Sequence, residues 1–283
     1  MAPLHSMPKP SLDGNSTVPV AAKLPRNQSD TCPVNIGNRV TMHLSIVIPA
    51  FNEAKLLPST LAAIHQARGA LKVATWSSEI IVCDNNSTDN TRAIALDHGA
   101  DRVVFEPINQ ISRARNTGAL AAAGRWILFI DADSQPSHQL FEAMLKAIQS
   151  GRFIAGGSTV TLDSAERRAQ IGGLIWNTIS RLGRLMAGSF IFIEAAAFRE
   201  IGGFSERFFA AEELDLTHRL RPLARQQQRQ IVILTSAPLL TSARKLHLYT
   251  PSEIWRLILH SVFRSKTTLT SKEACHLWYD GRR

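Results

Sequence analysis

Short apolar runs that each stop at a polar cluster, separated by stretches of helical spacing, constrain this chain more than any other feature. Leu44–Ala50 is a β-rich run ended by Pro49; residues 79–84 form a second, 102–106 a short third and 127–131 a fourth. Between them, residues 53–68 place Leu56, Leu57, Leu61 and Ile64 at helical spacing. Residues 88–98 read as a helix capped by Ser87 or Thr88, and 112–123 as an alanine-rich helix stopped by Gly124. This alternation predicts an α/β fold, a mostly parallel sheet with helices on both faces. In such sheets ligands bind beyond the C-terminal strand ends. The polar clusters fall there: Asn52 with Glu53, residues 84–89, and residues 131–134.

After about Gly151 the alternation weakens. Strands are expected over 153–162, 189–194 and 230–235, and helices over 165–187, interrupted by Gly172, Gly173 and Gly183, and over 214–223. Residues 198–204 end in a double-glycine turn. Residues 1–41, rich in Pro, Ser, Asn and Thr, are expected to be a disordered tail. Met42, just before the first strand, is an alternative start. Residues 42–243 form one domain, and 244–283 a basic amphipathic extension with a helix over 251–263.

The net charge of +9 implies an anionic partner: nucleic acid, a nucleoside diphosphate or an anionic membrane surface. Cys32, Cys83 and Cys275 lie far apart, with no metal-ligand spacing and no disulfide framework, which predicts a reducing compartment. No apolar run reaches bilayer length, and the first residues lack a charged-then-apolar signal pattern. A cytoplasmic protein is expected, with peripheral contact at the inner membrane surface as a variant.

The run from Trp126 to Ser134 delivers Asp131 and Asp133 to a strand end. In an extended chain residues i and i+2 point the same way, so both carboxylates would face one target. Hard oxygen ligands on one edge suit a divalent cation that also holds a diphosphate. An acidic turn after a strand is the plainer alternative. Pro49 fixes the turn before Asn52 and Glu53. Asp84 and Asn85 offer acceptors and an amide to a nucleobase edge, while Ser87 and Asp89 cap the following helix. No G-x-G-x-x-G follows the first strand and no G-x-x-x-x-G-K-[ST] occurs, which argues against a dinucleotide site and a P-loop.

S-I-V-I-P-A-F-N-E at 45–53, I-I-V-C-D-N-N-S-T-D-N-T at 80–91, R-A-R-N-T-G-A at 113–119 and I-L-F-I-D-A-D at 127–133 resemble, in that order, the family 2 glycosyltransferases. The resemblance covers about residues 43–220. It implies the GT-A fold, a Rossmann-like, mostly parallel sheet with helices on both faces. It also implies inverting, metal-dependent transfer from a nucleoside diphosphate sugar, UDP-sugar on family frequency, to a saccharide, a polyprenyl phosphate or a small metabolite. By that resemblance Pro49, Ala50, Phe51 and Glu53 would line the nucleoside pocket, with Phe51 in place of the usual Tyr. Asp84 and Asn85 would meet the base, Asn85 standing where a second Asp is usual. Arg115 and Asn116, with Arg113 behind them, would lie near the donor phosphates. Asp131 and Ala132 would contact the donor, Asp131 at the ribose, and Asp133 would hold Mg²⁺ or Mn²⁺ on the diphosphate.

Gly202, Gly203 and the acidic stretch from Glu212 resemble the family's acceptor-side turn. Aligning residues 215–220 with D-L-x-x-R-L puts Glu213 at the catalytic-base position, with Asp215 and Glu212 as alternatives. All three also complement a helix dipole. His247 corresponds to a third metal ligand, a packed or exposed histidine being the alternative, and Arg244 and Lys245 would face the leaving diphosphate. Trp255, Ile258, Leu259, Val262 and Phe263 form an apolar stripe that packs on the domain or lies at a membrane interface. Two rivals fit less well. A sugar-nucleotide pyrophosphorylase needs a Gly-rich, Arg-containing loop where Pro49 to Glu53 stand. A nucleic-acid binder needs aromatics interleaved with cations, whereas here they sit inside apolar runs.

Overall fold

A computed structural model describes residues 42–164, 166–186 and 189–242. The expected tail of residues 1–41, the extension 244–283 and His247 lie outside the described residues. The first half alternates as expected: β1 (Leu44–Ala50), α1 (Leu57–Ala67), α2 (Gly69–Val73), β2 (Ser78–Asp84), α3 (Thr91–Asp97), β3 (Arg102–Phe105), α4 (Ile111–Leu120) and β4 (Trp126–Ile130). Then come β5 (Ser134–Gln135), α5 (His138–Gln149), β6 (Phe153–Asp163), α6 (Arg167–Gly183), β7 (Phe190–Glu194), α7 (Ala195–Glu200), α8 (Glu212–Gln226) and β8 (Gln230–Ser242).

The two-residue period of a strand sorts β1 between two cores. Ile46 and Ile48 pack on one face with Leu57, Leu61 and Ile64 of α1 and Leu140, Phe141 and Met144 of α5. Val47 points the other way, into a core built from Phe129, Phe198 of α7 and Leu216 and Leu220 of α8. Burying a Leu, Ile or Phe side chain contributes about 1.5–3 kcal/mol, so each face holds its helices by many such increments. Helix α4 lies especially close to the sheet. A Cβ at Gly118 would come within 2.4 Å of Val47 Cγ1, so only glycine lets the helix sit there.

The strand order is β3-β2-β1-β4-β7-β6-β8-β5. The parallel order expected from the sequence holds for β3, β2, β1 and β4. It fails at β7, which is antiparallel to both β4 and β6. The connection carrying α6 starts and finishes at the same end of the adjacent strands β6 and β7, so the chain returns in the opposite direction. Helix α6 is continuous despite its glycines, and β8 runs past its expected span of 230–235 to Ser242. The extra length hides behind an irregularity: Ser158 pairs with Leu234 but Val160 with Leu239, so residues 235–238, including Pro238, bulge out. The strand–helix reading also leaves out α5, although Ser137 Oγ accepts the Leu140 N–H at its start and its apolar residues repeat at helical spacing.

Candidate active site

The C-terminal ends of β1 and β2 are tied together by loop chemistry. In-register pairing sets Ala50 beside Asp84, and Pro49 and Ala50 are buried. Asn52 takes a left-handed conformation, φ 53°, which a short polar side chain tolerates. Its N–H donates to Ser87 Oγ at 3.0 Å and its Oδ1 accepts the Thr88 N–H at 2.8 Å. Ser87 and Thr88 therefore staple β1 to β2 and do not cap α3. That helix starts at Thr91, whose N–H donates to Asp89 Oδ1 at 3.0 Å. The Glu53 N–H donates to Thr91 Oγ1 at 2.9 Å, and Asp84 Oδ1 accepts the Ser87 N–H at 3.0 Å.

Asn85 is buried and its amide is engaged inside the protein. Nδ2 donates to the Glu106 and Ile108 carbonyls, and Oδ1 accepts the Gln110 N–H at 2.9 Å. The side chain thus shapes the loop leading into α4, and three of its four hydrogen-bonding positions are taken. Gln110 continues the chain of contacts, donating from Nε2 to the carbonyls of Glu206 and Phe208.

At β4 the strand ends at Ile130, and a turn begins at once: the Ser134 N–H donates to the Asp131 carbonyl at 3.2 Å. The extended geometry expected to aim Asp131 and Asp133 together is therefore absent. Three distant segments hold this turn instead. Thr60 Oγ1 donates to the Ala132 carbonyl at 2.8 Å, the Asp131 N–H to the Ser189 carbonyl at 3.3 Å, and the Ser242 N–H to the Asp133 carbonyl at 3.2 Å. Among the described residues no group of three or more His, Cys, Asp or Glu side chains is placed to hold a metal ion. Two half-buried carboxylates on one turn do fit a hard cation that takes its other ligands from phosphate and water.

Arg115 is the hub of a charged cluster at the start of α8. Its side chain is 1% exposed, yet it meets three carboxylates. Nη2 lies 2.9 Å from Asp131 Oδ1, and Nη1 lies 2.6 Å from Glu212 Oε1 and 3.5 Å from Glu213 Oε1. Its guanidinium also sits 5.2 Å from the Phe204 ring centroid. Arg115 thus forms a buried junction between the turn after β4 and the start of α8. Its partner Asn116 is engaged with main chain: Nδ2 donates to the Phe204 carbonyl and Oδ1 accepts the Phe204 N–H, both at 2.9 Å. Gly203 there has φ 70°, and a Cβ on it would lie 2.8 Å from Asn116 Oδ1.

Among the described residues, Arg115 is the cation that meets these three carboxylates. Burial, and then the neighbouring Glu213 charge, outweigh the pull of Arg115 and push the Glu212 carboxyl up to about 8. The same carboxylates hold Arg115 firmly in its charged form. Just before α8, Ala211 has φ 60°, a strained conformation for a residue with a Cβ. Asp215 faces elsewhere. Its Oδ2 accepts Arg219 Nε at 2.7 Å, and Arg219 donates on to the carbonyls of Ile201 and Gly203. Asp215 therefore ties α8 to the double-glycine turn, while Glu213 stands half-buried beside Arg115. Glu212's pairing with Arg115 and Gln110's bridge carried no signal in the sequence, since each rests on a contact between distant segments.

Residues 45–200 match the sequence model of Glycosyl transferase family 2. The chain belongs to that family. An uncharacterized glycosyltransferase of Mycobacterium tuberculosis is 32% identical to this family member over 143 residues, 50% of this chain and 56% of that protein. A dolichyl-phosphate beta-glucosyltransferase of Drosophila melanogaster is 35% identical over 122 residues, 38% of this chain and 37% of the other. The family member thus spans about half the length, or less, of these curated relatives. Its fold is similar to that of glucosyl-3-phosphoglycerate synthase from M. tuberculosis, solved with Mn²⁺, UDP and phosphoglyceric acid: TM-score 0.53, 17% identity, 80% of this chain and 79% of that one. A mannosyltransferase from Pyrobaculum calidifontis, solved with GDP-Man and Mn²⁺, gives 0.57 and 18% over 83% and 64% of the two chains. The architecture is that of the GT-A glycosyltransferases.

Proposed function

We propose that this chain transfers a sugar, with inversion, from a nucleoside diphosphate donor to an acceptor hydroxyl or phosphate. One observation carries the reading. Buried Arg115 joins Asp131, at the end of a donor-side strand, to Glu212 and Glu213, at the start of an acceptor-side helix. A donor and an acceptor held on the two sides would meet between those carboxylates. Pro49, Ala50, Phe51 and Glu53 line the nucleoside pocket, and Asp84 meets the base while Asn85 shapes its loop. Asp131 and Ala132 contact the donor, with Asp131 at the ribose. Arg115 and Asn116 act by positioning the carboxylates and the Phe204 main chain.

Asp133, with Asp131, would hold Mg²⁺ or Mn²⁺ against the diphosphate, and His247 is the candidate third ligand. When bound, that cation offsets charge on the leaving group. Glu213 takes the proton from the acceptor hydroxyl as its oxygen attacks the anomeric carbon. The bond from that carbon to the phosphate oxygen breaks, and the nucleoside diphosphate leaves with the electron pair. UDP and Mn²⁺ in the mycobacterial synthase support a UDP-sugar and a divalent cation, while GDP-Man in the archaeal enzyme keeps guanine in the test. The dolichyl-phosphate relative supports a lipid-linked acceptor beside saccharide and small-molecule ones.

Thermal shift with UDP, GDP, ADP and CMP, each in Mn²⁺ and in EDTA, tests the donor side. One nucleoside diphosphate should raise the melting temperature in Mn²⁺ far more than in EDTA, and Asp133→Asn should remove that difference without lowering the unliganded melting temperature. Equal shifts in Mn²⁺ and EDTA for the unmutated protein would sink the metal role.

A further inference from the structure

Helix α6 is built inside out. Its inward side is largely polar: Asn177 accepts the Val160 N–H and donates to the Val160 carbonyl, and buried Ser180 donates to the Leu185 carbonyl. Among its described residues, Trp176 is the hydrophobic side chain that packs onto the core. Its outward side is apolar, with Ile171, Leu174, Ile175, Ile179 and Leu182 all exposed, Leu174 at 66% and Leu182 at 84%. These positions repeat at helical spacing, so the five side chains form one stripe. Folding alone does not call for that arrangement, because a helix that only had to pack on β6 would turn its leucines inward.

The charges around the stripe select what covers it. Residues 167–184 contain four arginines and no acidic residue, and the flanking acids are Asp163, Glu166 and Glu194. A second copy of the chain would bring four more arginines onto the first four. The segment 244–283 is itself basic, with Arg244, Lys245, Arg256, Arg264, Lys266 and Lys272. The complementary partner is apolar at depth and negative at its surface. We propose that α6 docks this protein onto an anionic lipid bilayer, its apolar stripe in the acyl boundary and its arginines among the headgroups.

The connection that carries α6 also abuts the candidate site. It leaves β6 at Asp163, which pairs with Ser242, the residue whose N–H donates to the Asp133 carbonyl. It returns at Ser189, whose carbonyl accepts the Asp131 N–H. A bilayer under α6 therefore lies next to the acidic turn. Delivery of a lipid-linked acceptor to that turn rests on the proposed transfer reaction, whereas docking itself does not.

The test is co-sedimentation of the full chain with vesicles of phosphatidylcholine alone or with about one-third phosphatidylglycerol, read without any turnover. The protein should partition onto the anionic vesicles, less so at high salt. Leu174→Asp with Leu182→Asp should weaken binding by about tenfold or more with an unchanged melting temperature, since both side chains are exposed. Arg181→Glu should lower binding to anionic vesicles while leaving the weak binding to neutral ones. Three results would overturn the proposal. The full chain stays in the supernatant with both vesicles. The double variant binds as well as the parent while Trp255→Asp with Phe263→Asp does not, which assigns contact to the C-terminal segment. Or the parent is a dimer that the double variant splits, with no vesicle binding, which assigns the stripe to a second copy.

Discussion

The two sides of the site are built by different physics. On the proposed donor side, side chains are matched to main-chain groups: Asn52 with Ser87 and Thr88, Asp84 with Ser87, Asn85 with the loop to Gln110. On the proposed acceptor side, among the described residues, three carboxylates, Asp131, Glu212 and Glu213, gather around buried Arg115. The donor side is therefore a finished structure before any ligand arrives. On the proposed acceptor side, burial and the neighbouring Glu213 charge favour a proton on Glu212.

The largest effect expected from this contrast is on rate. Glu213→Gln should slow transfer by about 10²- to 10⁴-fold, the usual cost of losing a positioned base, with nucleotide affinity unchanged, as single-turnover kinetics and calorimetry would read. Asp215→Asn should act mainly on stability, because Asp215 holds Arg219 to the Ile201 and Gly203 carbonyls. The reverse outcome would make Asp215 the base.

Next in size is the junction itself. Arg115→Met removes the cation from three carboxylates and should cost about 3–5 kcal/mol of stability in denaturant unfolding, with part restored by adding Glu212→Gln. Asn85→Ala, on the donor side, should cost only about 1–3 kcal/mol, the penalty of unmet hydrogen bonds. Equal costs would erase the distinction between the two sides.

The last effect is a slope. Glu212 carries its proton more tightly folded than unfolded, moving from an ordinary 4.5 to about 8. Its contribution to stability is whole below about 4.5 and is lost as pH rises through about 8, at no more than about 1.4 kcal/mol per pH unit. Glu212→Gln should flatten that part of the stability–pH curve. An unchanged curve would mean that Arg115 alone satisfies Glu212.

The same contrast explains what the sequence disclosed. β1, β2 and β4 were legible because each is a short apolar run ending in turn-forming residues, and local chemistry decides both. The direction of β7 was not, since it depends on where the α6 connection returns. Nor was the bulge that lets β8 reach Ser242. At the site, Asp131, Asp133 and Glu213 could be singled out by residue type and order. What Arg115 does could not, because its partner Glu212 stands 97 residues away and only the packed fold brings them together.

Gly118 gives that junction a hidden dependence. It lies one turn after Arg115 on α4, and its missing side chain is what seats the helix against Val47. A single methyl group there would prise α4 outward and carry the guanidinium with it. In a screen for loss of function, a Gly118 variant would score like an active-site lesion although the residue touches neither substrate nor charge. The depth of Arg115 is inherited from a hydrogen atom one turn along the same helix.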